Sequence, residues 1–198
     1  SRPIETALSY IHAHYAQPIS MAEVAAQLYR SPEHFSRQFK EEVGENFSSY
    51  LTRYRLERAI RQECERAKRF HQPFSVIAMD VDDFKQINDN HGHHAGDQTL
   101  INIVALVRSH IREIDLIARW GGDEFMVVLP NTGRLDGRLV ADKLRELLVQ
   151  SRVCQHFDIT MSFGLAEYQP DEPMGQLMVR VDRALYQAKL TGKNQICE

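Results

Sequence analysis

The chain has 198 residues, 43% of them apolar and 26% charged, with a net charge of −3 at pH 7. That is enough for one domain of ordinary size or one with a small appendage, and the near-neutral balance by itself implies neither a nucleic-acid nor a membrane partner. No apolar run approaches the roughly 20 residues of a membrane span. The start Ser1–Arg2–Pro3–Ile4 lacks the apolar stretch of a signal peptide, and Cys64, Cys154 and Cys197 read as reduced thiols of a cytoplasmic protein, not as a disulfide framework or a zinc site.

In chain order, the first part reads as all helix. Ile4, Leu8 and Ile11 recur at helical spacing before the break at Gln17–Pro18. Ser20, with Glu23 three positions on, has the form of a capping box, and Val24, Ala25 and Leu28 fill the inward face behind it. Ser31–Pro32 predicts another helix start. Phe35 and Phe39 lie one turn apart, and Gly44 ends the run. A fourth helical run begins near Asn46 and continues without Gly or Pro to about Phe70. The second part alternates. Phe74–Met79 has the length of a buried strand, and Ala95–Ile111 reads as a helix. Leu116–Trp120 and Phe125–Leu129 are strands joined by a hairpin at Gly121–Glu124. Leu139–Val149 reads as helix, Ile159–Leu165 as strand and Leu177–Lys189 as helix. Strands mixed with helices, one pair joined by a tight hairpin, predict an α/β sheet with an antiparallel component. No Pro- or Gly-rich linker marks a boundary, which is expected within the long helix.

The first strand delivers Asp80, Asp82 and Asp83 at its C-terminal end, where ligand groups are commonly placed. The Gly121–Gly122–Asp123–Glu124–Phe125 hairpin puts two more carboxylates at a turn. Two glycines there allow a bulky ligand close to the backbone. Phosphoryl transfer needs Mg²⁺ held by one or two carboxylates plus substrate phosphates, and cations for the developing charge. Asp80 and Asp123 can supply the first, and Lys85, Lys189 and Lys193 the second. On spacing alone the plainer alternative stays open: a capped strand end and an ordinary hairpin turn.

The segment D80-V-D-D-F-K-Q-I-N-D-N-H-G-H-H-A-G-D97 resembles the diguanylate cyclase pattern D-x-D-x-F-K-x-x-N-D-x-x-G-H-x-x-G-D at every fixed position. R119-W-G-G-D-E-F125 is similar to the loop for which the GGDEF family is named. T160-M-S-F-G164 and V181-D-R-A-L-Y-Q-A-K-L-T-G-K-N194 resemble the family's later strand and last helix. Four motifs in the family's order, over about 140 residues, identify residues 56–198 as a GGDEF domain. The resemblance implies a cyclase-like palm, with a mixed, largely antiparallel sheet flanked by helices, and condensation of two GTP into cyclic di-GMP. Asp80, Asp123, Glu124 and the Val81 carbonyl are then expected to hold two Mg²⁺ (or Mn²⁺) ions, with Asp123 also the base for the 3′-hydroxyl. Asn88 and Asp97 are expected on the guanine edge. The Asp83 and Phe84 amides with Lys85 are expected on the β- and γ-phosphates, Gly121 and Gly122 beside the substrate, and Lys189 and Lys193 on the triphosphate. Lys193 stands where the family commonly has Arg, so a bidentate contact becomes a point charge and GTP binding weaker. Since each bound 3′-hydroxyl must attack the other's α-phosphate, a homodimer is required. Arg112 and Asp115, nine and six residues before Gly121, match the family's RxxD product-inhibition site. Arg can fork onto guanine O6 and N7, and Asp can accept from N1–H and N2–H. The alternative is a helix-end surface pair. His91, His93 and His94 suggest zinc less than a structural turn, since His93 is the family's usual His after Gly92.

The segments I19-S-M-A-E-V-A-A-Q-L28, S31-P-E-H-F-S-R-Q-F-K40, Gly44 and F47–A59 resemble the first helix-turn-helix half of AraC-type regulators. This implies a small all-α domain over 1–55 whose recognition helix presents Glu33, His34, Arg37 and Gln38 to DNA. The second half of that pattern is absent, Tyr29 replaces the turn glycine, and residues 1–62 hold eight Lys and Arg against seven Asp and Glu, far from a basic footprint. A dimerisation or signal-input module is the competing reading. The cyclase motif also departs at its start: Tyr50–Arg58 has neither the Gly nor the Asn of the family's D-x-L-T-G-L-x-N-R turn, so continuous helix is expected there, coupling the two modules. The rival to an active cyclase is a non-catalytic regulator whose C-terminal domain senses GTP or cyclic di-GMP.

Overall fold

The computed structural model of the chain describes residues 2–154 and 157–198. The chain divides into two compact units, residues 1–59 and 60–198.

In the first unit, α1 (Arg2–His14), α2 (Met21–Gln27) and α3 (Pro32–Val43) are followed by the start of α4 (Phe47–Phe70). The Ser20 hydroxyl accepts from the Glu23 amide while the Glu23 carboxylate accepts from the Ser20 amide, closing the capping box. Ser31 caps α3 through the His34 amide, and Gly44 ends it at φ 88°. The Asn46 side chain caps α4 through the Ser49 amide. Ile4, Ala7, Ile11, Val24, Ala25, Phe35, Phe39, Phe47 and Leu51 form one core, each large side chain contributing about 1.5–3 kcal/mol by leaving water. Tyr29 occupies the α2–α3 turn at φ 54° with its side chain 98% exposed. It takes the left-handed conformation that favours glycine and gains no burial in return. One uninterrupted α4 covers Tyr50–Arg58, as expected from the missing Gly and Asn.

The second unit is built on a five-stranded sheet in the order β2 (Leu116–Gly121), β3 (Glu124–Pro130), β1 (Phe74–Val81), β4 (Met161–Glu167) and β5 (Ile196–Cys197). The central strand β1 is buried along its whole length. It pairs antiparallel with β3 and β4, and β2 pairs antiparallel with β3. The short β5 is parallel to β4. Ile77, Met79 and Val81 share a core with Ile103 and Val107 of α6 (His93–Arg108) and with Leu144 and Leu148 of α7 (Arg134–Gln150). Residues 174–190 form α8, Met174–Leu190, which packs so closely on β4 that a Cβ at Gly164 would overlap the amide nitrogen of Leu185. That contact needs glycine for space.

Several boundaries differ from the expectation. The helix predicted over Ala95–Ile111 runs from His93 to Arg108, because Ser109 closes it and Ile111 falls in the next turn. The strand predicted from Ile159 begins at Met161; Thr160 instead accepts the Asp82 amide through its carbonyl. The helices predicted from Leu139 and Leu177 begin at Arg134 and Met174. Two elements had no periodic signal: α5 (Phe84–His91), where only Ile87 is buried, and the two-residue β5.

Candidate active site

The register of the sheet assembles the carboxylates. Asp80, near the end of β1, stands opposite Glu124 on β3 and Ser162 on β4, and the Val81 amide donates to the Asp123 carbonyl at 3.3 Å. Asp80, Val81, Asp123 and Glu124, drawn from two motifs more than 40 residues apart, thus meet at one end of the sheet. The hairpin between β2 and β3 has Gly122 at φ 46°, and Arg119 Nε donates to the Gly122 carbonyl at 2.7 Å. Sequence reasoning did not see that latch, since a side chain closing its own turn leaves no spacing signal.

Asp80 is 3% exposed. Burial pushes its carboxyl up to about 6, against the pull of Lys189 and with a further push from Asp123 and Glu124. Burial raises Glu124 too. Lys189 Nζ lies 2.5 Å from Asp80 Oδ1, so its ammonium supplies the positive charge that a metal would bring. Among the described residues no three His, Cys, Asp or Glu side chains form a cation cage. An open set of two or three carboxylates suits Mg²⁺, which keeps its waters and binds through few carboxylates plus substrate phosphates; the donors present therefore fit that ion. Beside them Trp120, Glu124, Asp182, Leu185, Tyr186 and Lys189 line a cleft of about 330 Å³.

The next residues turn sharply. Asp83 sits at φ 56° and α5 starts behind it, leaving the first amides of the helix without an intrahelical acceptor, a setting that favours anions. Lys193 Nζ lies 2.6 Å from Asp83 Oδ1, and that contact raises the lysine above its ordinary range. Lys85 stands exposed in the first turn of α5. Gly92, at φ 84°, separates α5 from α6. Asn88 rests its side-chain carbonyl on Gly96, where any Cβ would overlap it. The next residue, Asp97, lines a cleft of about 500 Å³ with Leu100, Ile101, Val104, Arg119 and Phe125. The two residues expected on guanine are thereby drawn to the same α5–α6 corner.

Asp82, to which the sequence assigned no task, is 7% exposed. It accepts from Thr160 Oγ1 and Ser162 Oγ, each at 2.6 Å, and from the Asn194 amide at 3.0 Å.

The Arg112–Asp115 pair is built differently. Asp115 has a side chain 2% exposed, and Arg112 52%. The carboxylate accepts from the Arg112 amide at 2.9 Å, from Nε and from Nη2 at 2.7 Å. Nη2 also donates to the Pro130 carbonyl and to Thr132 Oγ1. The pair is a loop anchor as it stands, with the aspartate inward and the guanidinium half-exposed. His91, of the histidine cluster, stacks on Phe157 at 4.2 Å between ring centres.

On α3, Glu33 and Arg37 are exposed while His34 and Gln38 are half-buried. His34 lies between Arg30 Nη1 at 2.8 Å and Arg37 Nη2 at 3.4 Å, and Gln38 donates to Glu42.

Known proteins match both parts. The family described as diguanylate cyclase, GGDEF domain, matches residues 49–195, and that of bacterial regulatory helix-turn-helix proteins of the AraC type matches residues 11–52. The diguanylate cyclase DgcP of Pseudomonas aeruginosa is 32% identical over 183 residues, 90% of this chain and 27% of its own length. The active GGEEF domain of a diguanylate cyclase from Vibrio cholerae superposes with a TM-score of 0.70 at 34% identity, covering 73% of this chain and 94% of that one. The GGDEF domain of DgcB from Caulobacter crescentus, solved with c-di-GMP, has a TM-score of 0.69 at 26% identity, over 73% and 88%. The chain spans between 23% and 37% of the length of the curated relatives it matches. Ordered motifs, sheet register and a family match over most of the chain agree: the chain belongs to the GGDEF diguanylate cyclase family.

Proposed function

We propose that this protein condenses two GTP into cyclic di-GMP with release of pyrophosphate. The observation that carries the reading is the sheet register that brings Asp80 and Val81 against Asp123 and Glu124. Asp80, Asp123, Glu124 and the Val81 carbonyl would hold two Mg²⁺ or Mn²⁺ ions, which when bound supply charge neutralisation at the triphosphate. The protein's own groups do the rest. The amides of Asp83 and Phe84, with Lys85, receive the β- and γ-phosphates, and Gly121 and Gly122 let the nucleotide lie against the hairpin. Asn88 and Asp97 orient the guanine, Asp97 accepting from N1–H and N2–H. Lys189 exchanges Asp80 for the triphosphate, and Lys193 exchanges Asp83 for it, as a point charge in place of a fork. Asp123 takes the proton of the 3′-hydroxyl. Fixed cations and amides aimed at the phosphates stabilise the developing charge.

A GTP on one copy must meet a GTP on another, so the active species is a homodimer whose approach supplies proximity. Product inhibition is part of the proposal. The half-exposed Arg112 offers its guanidinium to a guanine of cyclic di-GMP, and Asp115 joins once the fork lets go of it. For the first unit we propose an input role in the cytoplasm, with DNA contact through α3 secondary to it. Its near-neutral charge, the contacts of His34 with Arg30 and Arg37, and the hydrogen bond of Gln38 to Glu42 favour that order.

The deciding assay is incubation of the purified chain with GTP and Mg²⁺, followed by chromatography for cyclic di-GMP. Product formation with specific activity that rises with protein concentration is expected. Binding of GTP or cyclic di-GMP without turnover would make the domain a sensor.

A further inference from the structure

Among the described residues, Asp82 is the one buried carboxylate of the first motif that the proposed chemistry leaves unused. It lies between the metal-facing Asp80 and the phosphate-facing Asp83, yet its side chain points into protein, where it takes two hydroxyls at 2.6 Å and one amide at 3.0 Å. Three donors on one buried carboxylate are strong, charge-assisted bonds. They tie the end of β1 to the start of β4, through Thr160 and Ser162, and to the loop after α8, through Asn194.

That loop is closed at its ends by Gln195 Nε2, which donates to the Ala188 carbonyl at 3.0 Å and to Thr191 Oγ1 at 2.8 Å, but its middle is strained. Gly192, Lys193 and Asn194 are consecutive at φ 128°, 61° and 45°. Two adjacent non-glycine residues in the left-handed region persist only where the surroundings fix them. On one side the Lys193 amide donates to the Ala188 carbonyl at 2.9 Å, and on the other the Phe163 amide donates to the Gln195 carbonyl at 2.9 Å. Between these ties the Asn194 amide is held by Asp82. The outcome is a Lys193 ammonium 2.6 Å from Asp83, at the mouth of α5.

We propose that Asp82 is a positioning residue: it locks residues 192–194 in a strained conformation so that Lys193 stands over the amides of Asp83 and Phe84, where a triphosphate binds. One carboxylate thereby sets both walls of the phosphate cradle, one through its own backbone and the other through Asn194. The inference rests on the reading of that cradle as a triphosphate site.

The test uses the full chain and two substitutions, Asp82→Asn, which keeps the shape and removes the charge, and Asp82→Ala. GTP, inorganic triphosphate and guanosine serve as separate probes in Mg²⁺ buffer, and hydrogen exchange reads the loop directly. Asp82→Asn should weaken GTP and triphosphate by about tenfold to a hundredfold, the scale on which a misplaced group acts. It should leave guanosine binding within about twofold and speed exchange at the amides of 191–195. In a Lys193→Ala background the same substitution should cost little more, because the lysine it positions is gone. Parallel losses for GTP and guanosine, additivity with Lys193→Ala, or unchanged exchange at 191–195 each overturn the proposal. If the parent binds neither GTP nor triphosphate, the cyclase reading falls, and hydrogen exchange alone decides the clamp. Should Asp82→Ala not fold, Asp82→Asn carries every readout.

Discussion

Two buried carboxylates in the second unit meet a cation, and they are built in opposite ways. Asp80 faces a single ammonium, Lys189, and burial has driven its carboxyl up to about 6. Asp115 is saturated by the amide, Nε and Nη2 of one arginine, which goes on to bind Pro130 and Thr132. The first is poorly compensated for its burial, the second well. A carboxylate left short of donors at a strand end is poised for a ligand, whereas one filled by its own loop is poised for stability. Arg112 is where the two kinds overlap, since half of it is in solvent.

The sharpest way to break this contrast is Asp80→Asn. Turnover should fall by at least about a thousandfold, as expected when a group that organises transition-state charge is lost, while the melting temperature holds or rises, because burial disfavours the charged carboxylate and the Lys189 ammonium left behind is 35% exposed. A variant that keeps a tenth of the parent's rate would show that Asp80 holds no metal. Asp115→Ala should do the reverse: a loss of about 1–3 kcal/mol in denaturant unfolding, from stranding the donors it satisfied, with the initial rate per folded molecule kept. A stable Asp115→Ala protein with a lowered initial rate would erase the distinction drawn here.

Arg112→Ala tests the overlap. Its initial rate should match the parent's, and its progress curve should run on where the parent's levels off, giving several-fold more cyclic di-GMP at equal GTP. Identical plateaus would assign any feedback to another place. The smallest effect belongs to the first unit, where the fold gains nothing from Tyr29. Tyr29→Gly should stabilise it by about 0.5–1 kcal/mol, relief of a left-handed L-residue partly offset by glycine's freedom when unfolded; thermal unfolding of the chain checks the sign.

What was legible in the sequence follows the same division. Residue types and spacing suggested Asp80 and Asp123 for a cation and Lys85, Lys189 and Lys193 for phosphate, whereas Glu124, Asn88 and Asp97 were expected only through the resemblance of their motifs to the family's. Apolar runs marked β1 and β3, whose burial is nearly unbroken. The polar α5, with Ile87 as its one buried residue, had no period to betray it. The task of Asp82 was hidden because its partners, Thr160, Ser162 and Asn194, lie about 80 to 110 residues away. Arg112 and Asp115 could be paired by eye, but the further anchoring of Arg112 depends on Pro130 and Thr132, which only the fold brings near.

The missing side chain of Gly164 has a reach beyond its own position. Because α8 rests backbone against backbone on β4 there, any larger residue acts as a shim under a rigid rod. Leu185, which it would strike, is one helical turn before Lys189, so the displacement arrives at Asp80 almost undiminished. A mutation at 164 would touch no ligand and alter no charge, yet it would register kinetically as damage to the lysine. In a library of variants the position should therefore behave as a gauge of the spacing between sheet and ammonium, graded by side-chain volume.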